Sequence, residues 1–239
     1  MTTKIEALKD PVRALKAQKL QVQQTAGGVP SKLNILVYSA PGGGKTYFAG
    51  TFPKPLFVDC QGGIMTVRRK EIAYVQPSSY EELLQCVNQE AVSDYQTWVL
   101  DTGTEAARIT MESSLELSGR FLPQQQDWGL VIERLRRYLR AAVELPMNVI
   151  VTCEERTVRD EDSGKVILGP ALPGQLFHEA GALFDCVFHL RNSFNPVTKT
   201  KGRWLLTEPD GLYPAKDRTG CFEKLEKPDY ETLWTKLRA

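Results

Sequence analysis

Apolar runs of strand length alternate with stretches of helical period over most of this chain. Leu33 to Tyr38 is a continuous apolar run, a Pro/Gly loop follows, and a short helical pattern starts at Gly44. A second apolar run, Pro55 to Asp59, comes after that helix, and residues 71–76 predict another short strand. Ser78 or Ser79 with Glu81 or Glu82 three positions on has the spacing of a capping box and predicts a helix start. Thr97 to Asp101 has the pattern of a buried strand and Thr104 to Ser118 that of a helix. Over Asp127 to Leu145, Trp128, Val131, Ile132, Leu135, Leu139, Ala142 and Val143 recur at helical spacing among four arginines, Arg134, Arg136, Arg137 and Arg140. Met147 to Cys153 predicts a strand, Thr157 to Leu168 a hairpin turning at Asp-Glu-Asp-Ser-Gly, and Phe184 to Leu190 and Arg203 to Thr207 further strands. A last helix is expected from about Asp229. Alternation of strand and helix up to residue 153 predicts an α/β fold, a mostly parallel sheet covered by helices on both faces, which the later strands extend.

The 239 residues suffice for one large domain or two small ones at roughly 100 to 200 residues each. With 42% hydrophobic and 25% charged residues, disordered and collagen-like chains are excluded. Lys+Arg against Asp+Glu is 30 against 29, which excludes a uniformly basic nucleic-acid binder. The charge is uneven, however: basic residues outnumber acidic ones before Leu33 and after Leu190, and the body between is acidic. Such ends permit contact with a polyanion, although a solvated face gives the same pattern. Residues 1–30 are expected to form an N-terminal arm and linker ahead of a domain at 31–239, with Lys4, Lys9, Arg13, Lys16 and Lys19 available to phosphates. The five cysteines contain no C-x-x-C pair and only two histidines accompany them, so reduced, buried thiols are a better expectation than a zinc site. No apolar leader opens the chain and charges interrupt every candidate span, which predicts a soluble cytoplasmic protein without membrane contact.

The chemistry concentrates in Ser39-Ala40-Pro41-Gly42-Gly43-Gly44-Lys45-Thr46, a Walker A loop between a strand and a helix in which Ser39 replaces the usual first Gly. Glycines let backbone N–H groups wrap phosphates, Lys45 is expected to reach the β- and γ-phosphates, and the Thr46 hydroxyl to ligate Mg²⁺. Ala40, Pro41, Gly42, Gly43, Gly44 and Tyr47 complete the predicted ATP-binding set. Asp101, ending the strand Trp98-Val99-Leu100-Asp101, is the candidate Walker B acid for Mg²⁺, or else a cap for the helix after it.

Together these residues resemble the RecA-like recombination ATPases, and most closely their small phage-encoded branch of single-strand annealing ATPases, over about Leu33 to Arg238. Carrying the resemblance beside the P-loop and Walker B strand are Pro55-Leu-Phe-Val-Asp-Cys-Gln-Gly-Gly63, Gln126-Asp-Trp-Gly129, Val149-Ile-Val-Thr-Cys-Glu-Glu155 and Ala215-Lys-Asp-Arg218. It implies a RecA-like core with a C-terminal antiparallel extension, ATP and Mg²⁺ as cofactors, and DNA-dependent ATP hydrolysis. Its implied partners are single-stranded DNA and further copies of the chain in a ring or filament, with a single-strand DNA-binding protein as an optional loader, in the bacterial host cytoplasm if the gene is a phage's. The family's water-activating Glu corresponds here to Gln61, an amide that can orient water but cannot take its proton, so weak hydrolysis is implied unless Glu154 substitutes. Lys216 and Arg218 match cations that reach the γ-phosphate of an adjacent protomer, or form a surface turn. DNA contact is implied for Arg156, Arg159 and Lys165 on the hairpin and for Phe177 as a stacking platform, with core packing the alternative for Phe177. Two other readings stay open: an ATP-gated DNA-binding module with little hydrolysis, and a small P-loop kinase, against which stands the want of an arginine-rich lid.

Overall fold

The computed structural model describes residues 29–159, 164–195 and 200–239. The expected N-terminal arm up to residue 28, the hairpin tip at 160–163 and residues 196–199 lie outside them.

Strand β1 (Asn34–Ser39) runs into the glycine loop and helix α1 (Lys45–Ala49). Strand β2 (Pro55–Asp59) is followed by a 3-10 turn at Gly63–Val67 and by β3 (Ala73–Val75). Helix α2 (Tyr80–Gln85) is capped by Ser79, whose hydroxyl accepts from the Glu82 N–H at 3.2 Å while the Glu82 carboxylate accepts from the Ser78 N–H at 2.7 Å. Strand β4 (Thr97–Asp101) leads through the capping residue Thr102 into α3 (Gly103–Leu117). Helix α4 (Gln125–Val143) begins ahead of the expected Asp127 because that residue stands one turn inside, its carboxylate reaching back to the Gln124 N–H at 2.7 Å. Strand β5 (Asn148–Arg159) forms a hairpin with β6 (Val166–Pro170), and helix α5 (Leu176–Leu183) follows. A longer hairpin, β7 (Cys186–Asn195) with β8 (Thr200–Leu206), precedes the short strands β9 (Lys216–Asp217) and β10 (Leu225–Glu226) and helix α6 (Tyr230–Arg238).

The sheet order is β10-β8-β7-β1-β5-β4-β2-β3, with β6 paired to β5 and β9 to β7. From β7 through β3 every pairing is parallel, and β8, β10, β6 and β9 pair antiparallel. The expected RecA-like α/β architecture, a mostly parallel sheet with an antiparallel C-terminal extension, is the one observed. Alternate side chains of β1 enter opposite cores. Leu36 and Tyr38 pack with Trp98, Leu135, Tyr138 and Val151 beneath α3, α4 and α5, while Ile35 and Val37 pack with Phe48, Phe57, Phe188 and Leu233 beneath α1 and α6. Both faces of the central strands are therefore dry, which leaves only the carboxyl edge of the sheet for polar chemistry.

Trp98 is fully buried, edge-on to Tyr138 with ring centroids 6.0 Å apart, and its indole N–H donates to the Cys86 carbonyl at 2.7 Å. Replacing it by Ala empties the centre of that face and leaves the carbonyl without its donor. Trp98→Ala is expected to lower unfolding free energy by about 3 to 5 kcal/mol, seen as a lower urea midpoint at unchanged slope. A loss below about 1 kcal/mol would show that this face is not the main core.

Candidate active site

The P-loop departs from the common pattern at a position where the structure supplies its own compensation. Ser39 is buried at the end of β1, and a Cβ on Gly43 would stand 2.2 Å from its Oγ and 2.8 Å from its Cβ. A side chain at position 39 is thus tolerated because position 43 has none. Gly44, at φ 109°, turns the backbone into α1 in a conformation that favours glycine. The Lys45 ammonium, 8% exposed, lies back along the loop and donates to the Ser39 carbonyl at 2.9 Å, the Ala40 carbonyl at 3.2 Å and the Ser39 Oγ at 3.3 Å. Burial pushes its pKa down, and the nearby carboxylates, Asp101 first, pull it back up.

Asp101 is 2% exposed at the end of β4. Its carboxylate accepts from the Thr46 hydroxyl at 2.7 Å and from the Thr152 hydroxyl on β5 at 2.5 Å. Desolvation raises its pKa, and the two hydroxyl bonds work against that rise. On the adjoining strand Asp59 is equally buried and accepts from the Gly63 N–H at 2.8 Å, shaping the turn that carries Gln61 over the site. The Gln61 amide then donates to the Glu154 carboxylate at 3.2 Å, and Glu154 is itself anchored by its N–H to the Thr104 hydroxyl at 3.0 Å. A cavity of about 290 Å³ is lined by Lys45, Thr46, Gln61, Asp101, Glu154 and, on its far side, Arg203.

A family model described as an AAA domain matches residues 31–219. The chain belongs to this AAA domain family. No curated protein matches it. Among solved structures it is similar to a KaiC-like protein from the hyperthermophilic archaeon Pyrococcus horikoshii OT3, with 16% identity and TM-score 0.43 over 75% of this chain and 80% of that one. It is also similar to the flagellar accessory protein FlaH from Methanocaldococcus jannaschii, with 11% identity and TM-score 0.43 over 84% and 86%. The AAA domain is a RecA-like P-loop ATPase, and its membership implies nucleotide and Mg²⁺. The donor set fits the metal: a hydroxyl and a carboxylate, Thr46 and Asp101, are both hard oxygen ligands, held together at the phosphate loop. Held there, Mg²⁺ would offset phosphate charge during hydrolysis.

The other predicted residues of the AAA domain lie farther out. Lys216 and Arg218 are remote from their own P-loop, since β9 pairs with the opening residues of β7, Cys186 and Val187, at the other edge of the sheet. Lys216 donates to the Gly181 and Phe184 carbonyls at 2.8 and 2.7 Å, and Arg218 to the Ala182 carbonyl and the Asp185 carboxylate, both at 3.1 Å. Within one chain they fasten the C-terminal end of α5. Arg156, Arg159 and Lys165 are exposed on the β5–β6 hairpin, as expected of surface cations. Phe177 corrects its expectation as a stacking platform. It belongs to α5, is 6% exposed, and is wedged so closely beneath β6 that a Cβ on Gly169 would stand 2.7 Å from its ring. Its ring carries the Arg156 guanidinium at 5.2 Å instead. Two residues escaped sequence reasoning. Trp128 has helical-core spacing yet is 47% exposed, and Arg203 reaches the P-loop from a strand distant in sequence. Among the described residues no helix is long and apolar enough to cross a membrane.

Two outcomes test this geometry. Gly43→Ala is expected to abolish ATP binding by forcing the loop away from Ser39, and Ser39→Gly in the same chain to restore part of it, measured by titration calorimetry; no recovery would mean that the side chain at 39 is not what forbids Cβ at 43. A raised carboxyl pKa means that the folded chain keeps a proton which the unfolded chain releases, so Asp101 favours folding at low pH and opposes it as pH rises through its folded value. Asp101→Asn is therefore expected to raise the melting temperature of the nucleotide-free protein at pH 7, to flatten its fall with rising pH, and to remove Mg²⁺-dependent turnover. A lower melting temperature at pH 7 would show that the Thr46 and Thr152 bonds outweigh desolvation.

Proposed function

We propose that this AAA domain is an ATP-dependent single-stranded DNA-binding protein of the phage recombination and annealing type, coupling Mg-ATP binding and hydrolysis to assembly on DNA. The observation that carries this reading is the continuity of β5. The strand that presents Glu154 to the nucleotide cavity runs without a break through Arg156 to Arg159, so the nucleotide wall and the basic hairpin are one stiff element. Beside it lies a groove of about 520 Å³ walled by Trp128, Arg108 and Arg156, with Glu112 its acidic member. Thr104, which holds the Glu154 N–H, forms part of the same wall. A half-exposed indole sharing a groove with two arginines, of which Arg108 also pairs with Glu105 at 3.0 Å, suits bases that stack and phosphates that pair, with little sequence preference.

In hydrolysis, Glu154 takes a proton from water as the water oxygen bonds the γ-phosphorus and the bond to the β-phosphate oxygen breaks, giving ADP and phosphate. The Gln61 amide, bonded to Glu154, orients that carboxylate. Lys216 and Arg218 would serve the nucleotide of an adjacent copy in a ring or filament, and a single-strand DNA-binding protein would act at loading.

The test is ATP turnover with and without single-stranded DNA. Wild type is expected to be stimulated, and Glu154→Gln to lose about 10² to 10⁴-fold in single-turnover rate on saturating DNA. Gln61→Glu is expected to bring no gain, because it sets two carboxylates at hydrogen-bond distance and one of them must hold its proton. A faster Gln61→Glu with an unaffected Glu154→Gln would move the base to position 61. Trp128→Ala and Arg156→Ala are each expected to weaken single-stranded DNA binding by about 5- to 100-fold in fluorescence anisotropy while basal ATP binding persists. Wild-type DNA affinity in the double variant would refute the groove, and turnover indifferent to DNA would favour a nucleotide enzyme of another kind.

A further inference from the structure

On the cavity wall facing away from Asp101 stands a cation that the catalytic scheme above does not use. Arg203 and Leu205 share one face of β8, and Leu205 is buried in the core that includes Phe48 of α1 and Phe188 and Leu190 of β7. Pairing places Leu205 opposite Leu190 and Arg203 opposite Asn192, while β1, aligned by Tyr38 with His189, ends at Ser39. The β7–β8 hairpin thus continues past the point where β1 gives way to the P-loop, and Arg203 leaves the sheet one pleat beyond the core. A Cβ on Gly44 would meet its Nε at 3.0 Å and its Cδ and Cζ at 3.1 Å, so the guanidinium rests on the backbone that turns into α1.

Its charge is uncommitted. Arg191 pairs with Asp210, Arg218 with Asp185 and Arg136 with Glu133 and Glu179, whereas no carboxylate among the described residues pairs with Arg203. Lys45 is turned inward onto carbonyls and Thr46 onto Asp101. In sheet order Gln61 follows β2, Asp101 ends β4 and Glu154 lies on β5, all on one side of β1, and Arg203 comes from β8 on the other. Asp101, which with Thr46 would hold a metal, and Glu154 stand on the first side, so Arg203 is placed for the part of a bound phosphate chain that lies away from them.

We infer that Arg203 is a nucleotide-binding residue acting within its own chain, its guanidinium pairing with the phosphate chain at the end away from Asp101. This rests on the P-loop ATPase assignment and is independent of the DNA reading. Because the contact is to phosphates that ATP and ADP share, it stabilises both, and it does so equally before and during hydrolysis. That separates it from an arginine finger, which acts on the transition state, and from stacking on the base, which would discriminate between bases.

The experiment is titration calorimetry of wild type, Arg203→Ala, Arg203→Lys and Lys45→Ala with Mg-ATP, Mg-ADP and Mg-GTP, together with steady-state ATP hydrolysis and nucleotide-free melting curves. Arg203→Ala is expected to weaken ATP and ADP alike by about tenfold, the loss of one charged hydrogen-bonded contact, and to raise KM with kcat unchanged. Arg203→Lys is expected to recover part of the affinity, with unchanged melting of the nucleotide-free protein and an unchanged ATP to GTP ratio. ADP affinity equal to wild type, or a loss confined to kcat, would overturn the inference, and an altered ATP to GTP ratio would replace it by base stacking. If wild type binds nucleotide and Lys45→Ala does not, full binding by Arg203→Ala refutes only this role; absence of binding in wild type refutes the P-loop reading with it.

Discussion

The buried carboxylate of Asp101 is the joint on which the site depends. It ends β4, takes one hydrogen bond from α1 through Thr46 and one from β5 through Thr152, and so ties the helix after the P-loop to two strands of the sheet. Neutral hydroxyls are weak compensation for a charge taken out of water, and desolvation pushes the Asp101 pKa up despite them. Lys45 offsets part of that charge, and a divalent cation at the Thr46–Asp101 pair would offset more. An arrangement whose carboxylate is expected to oppose folding thus suits a site for a metal-bound nucleotide, the usual exchange between stability and function.

Around that joint the parallel order of the strands sorts charge across the cavity. Strands on one side of β1 deliver Gln61, Asp101 and Glu154, and the antiparallel hairpin on the other side delivers Arg203. Polar groups collect at this edge because both faces of the central strands are sealed by apolar cores. β5 is the element that leaves the edge. It is paired in parallel within the sheet and then antiparallel with β6 beyond it, from Glu155 opposite Pro170 to Arg159 opposite Val166. A displacement of Glu154 would accordingly be carried as a tilt of the hairpin.

Much of this was legible in the sequence. The apolar runs of β1, β2 and β4 and the glycine loop stand close to where pattern alone places them, because strands buried on both faces are written as continuous apolar stretches. Three things were not. The apolar pattern stops at Cys153 and a hairpin is legible only from Thr157, yet β5 runs unbroken to Arg159, because the polar residues Glu154 to Arg156 between them are bridged to β6 by pairing that begins at Glu155. Phe177 follows a Gly/Pro-rich stretch that suggests an open loop, yet Gly169 is the vacancy its ring fills and α5 the helix that holds it there. Arg203 comes near Gly44 only through the antiparallel return of β8 over the P-loop, so no local signal marks it.

Lys216 and Arg218 carry the synthesis beyond one chain. Both are engaged with the last carbonyls of α5, where cations favour the negative end of a helix, and burial pushes the Lys216 pKa down. In the proposed assembly, turning either toward a neighbour's γ-phosphate would exchange carbonyl bonds for a charged one and release that end of α5. The first turn of α5 supports Arg156 through Phe177, and Glu179 joins it to α4 through Arg136 at 2.8 Å. One short helix thus lies between Lys216 and Arg218 and the groove that the proposed function assigns to DNA. In the proposed assembly the two sites would be coupled if α5 had two positions whose balance a neighbour's γ-phosphate shifts.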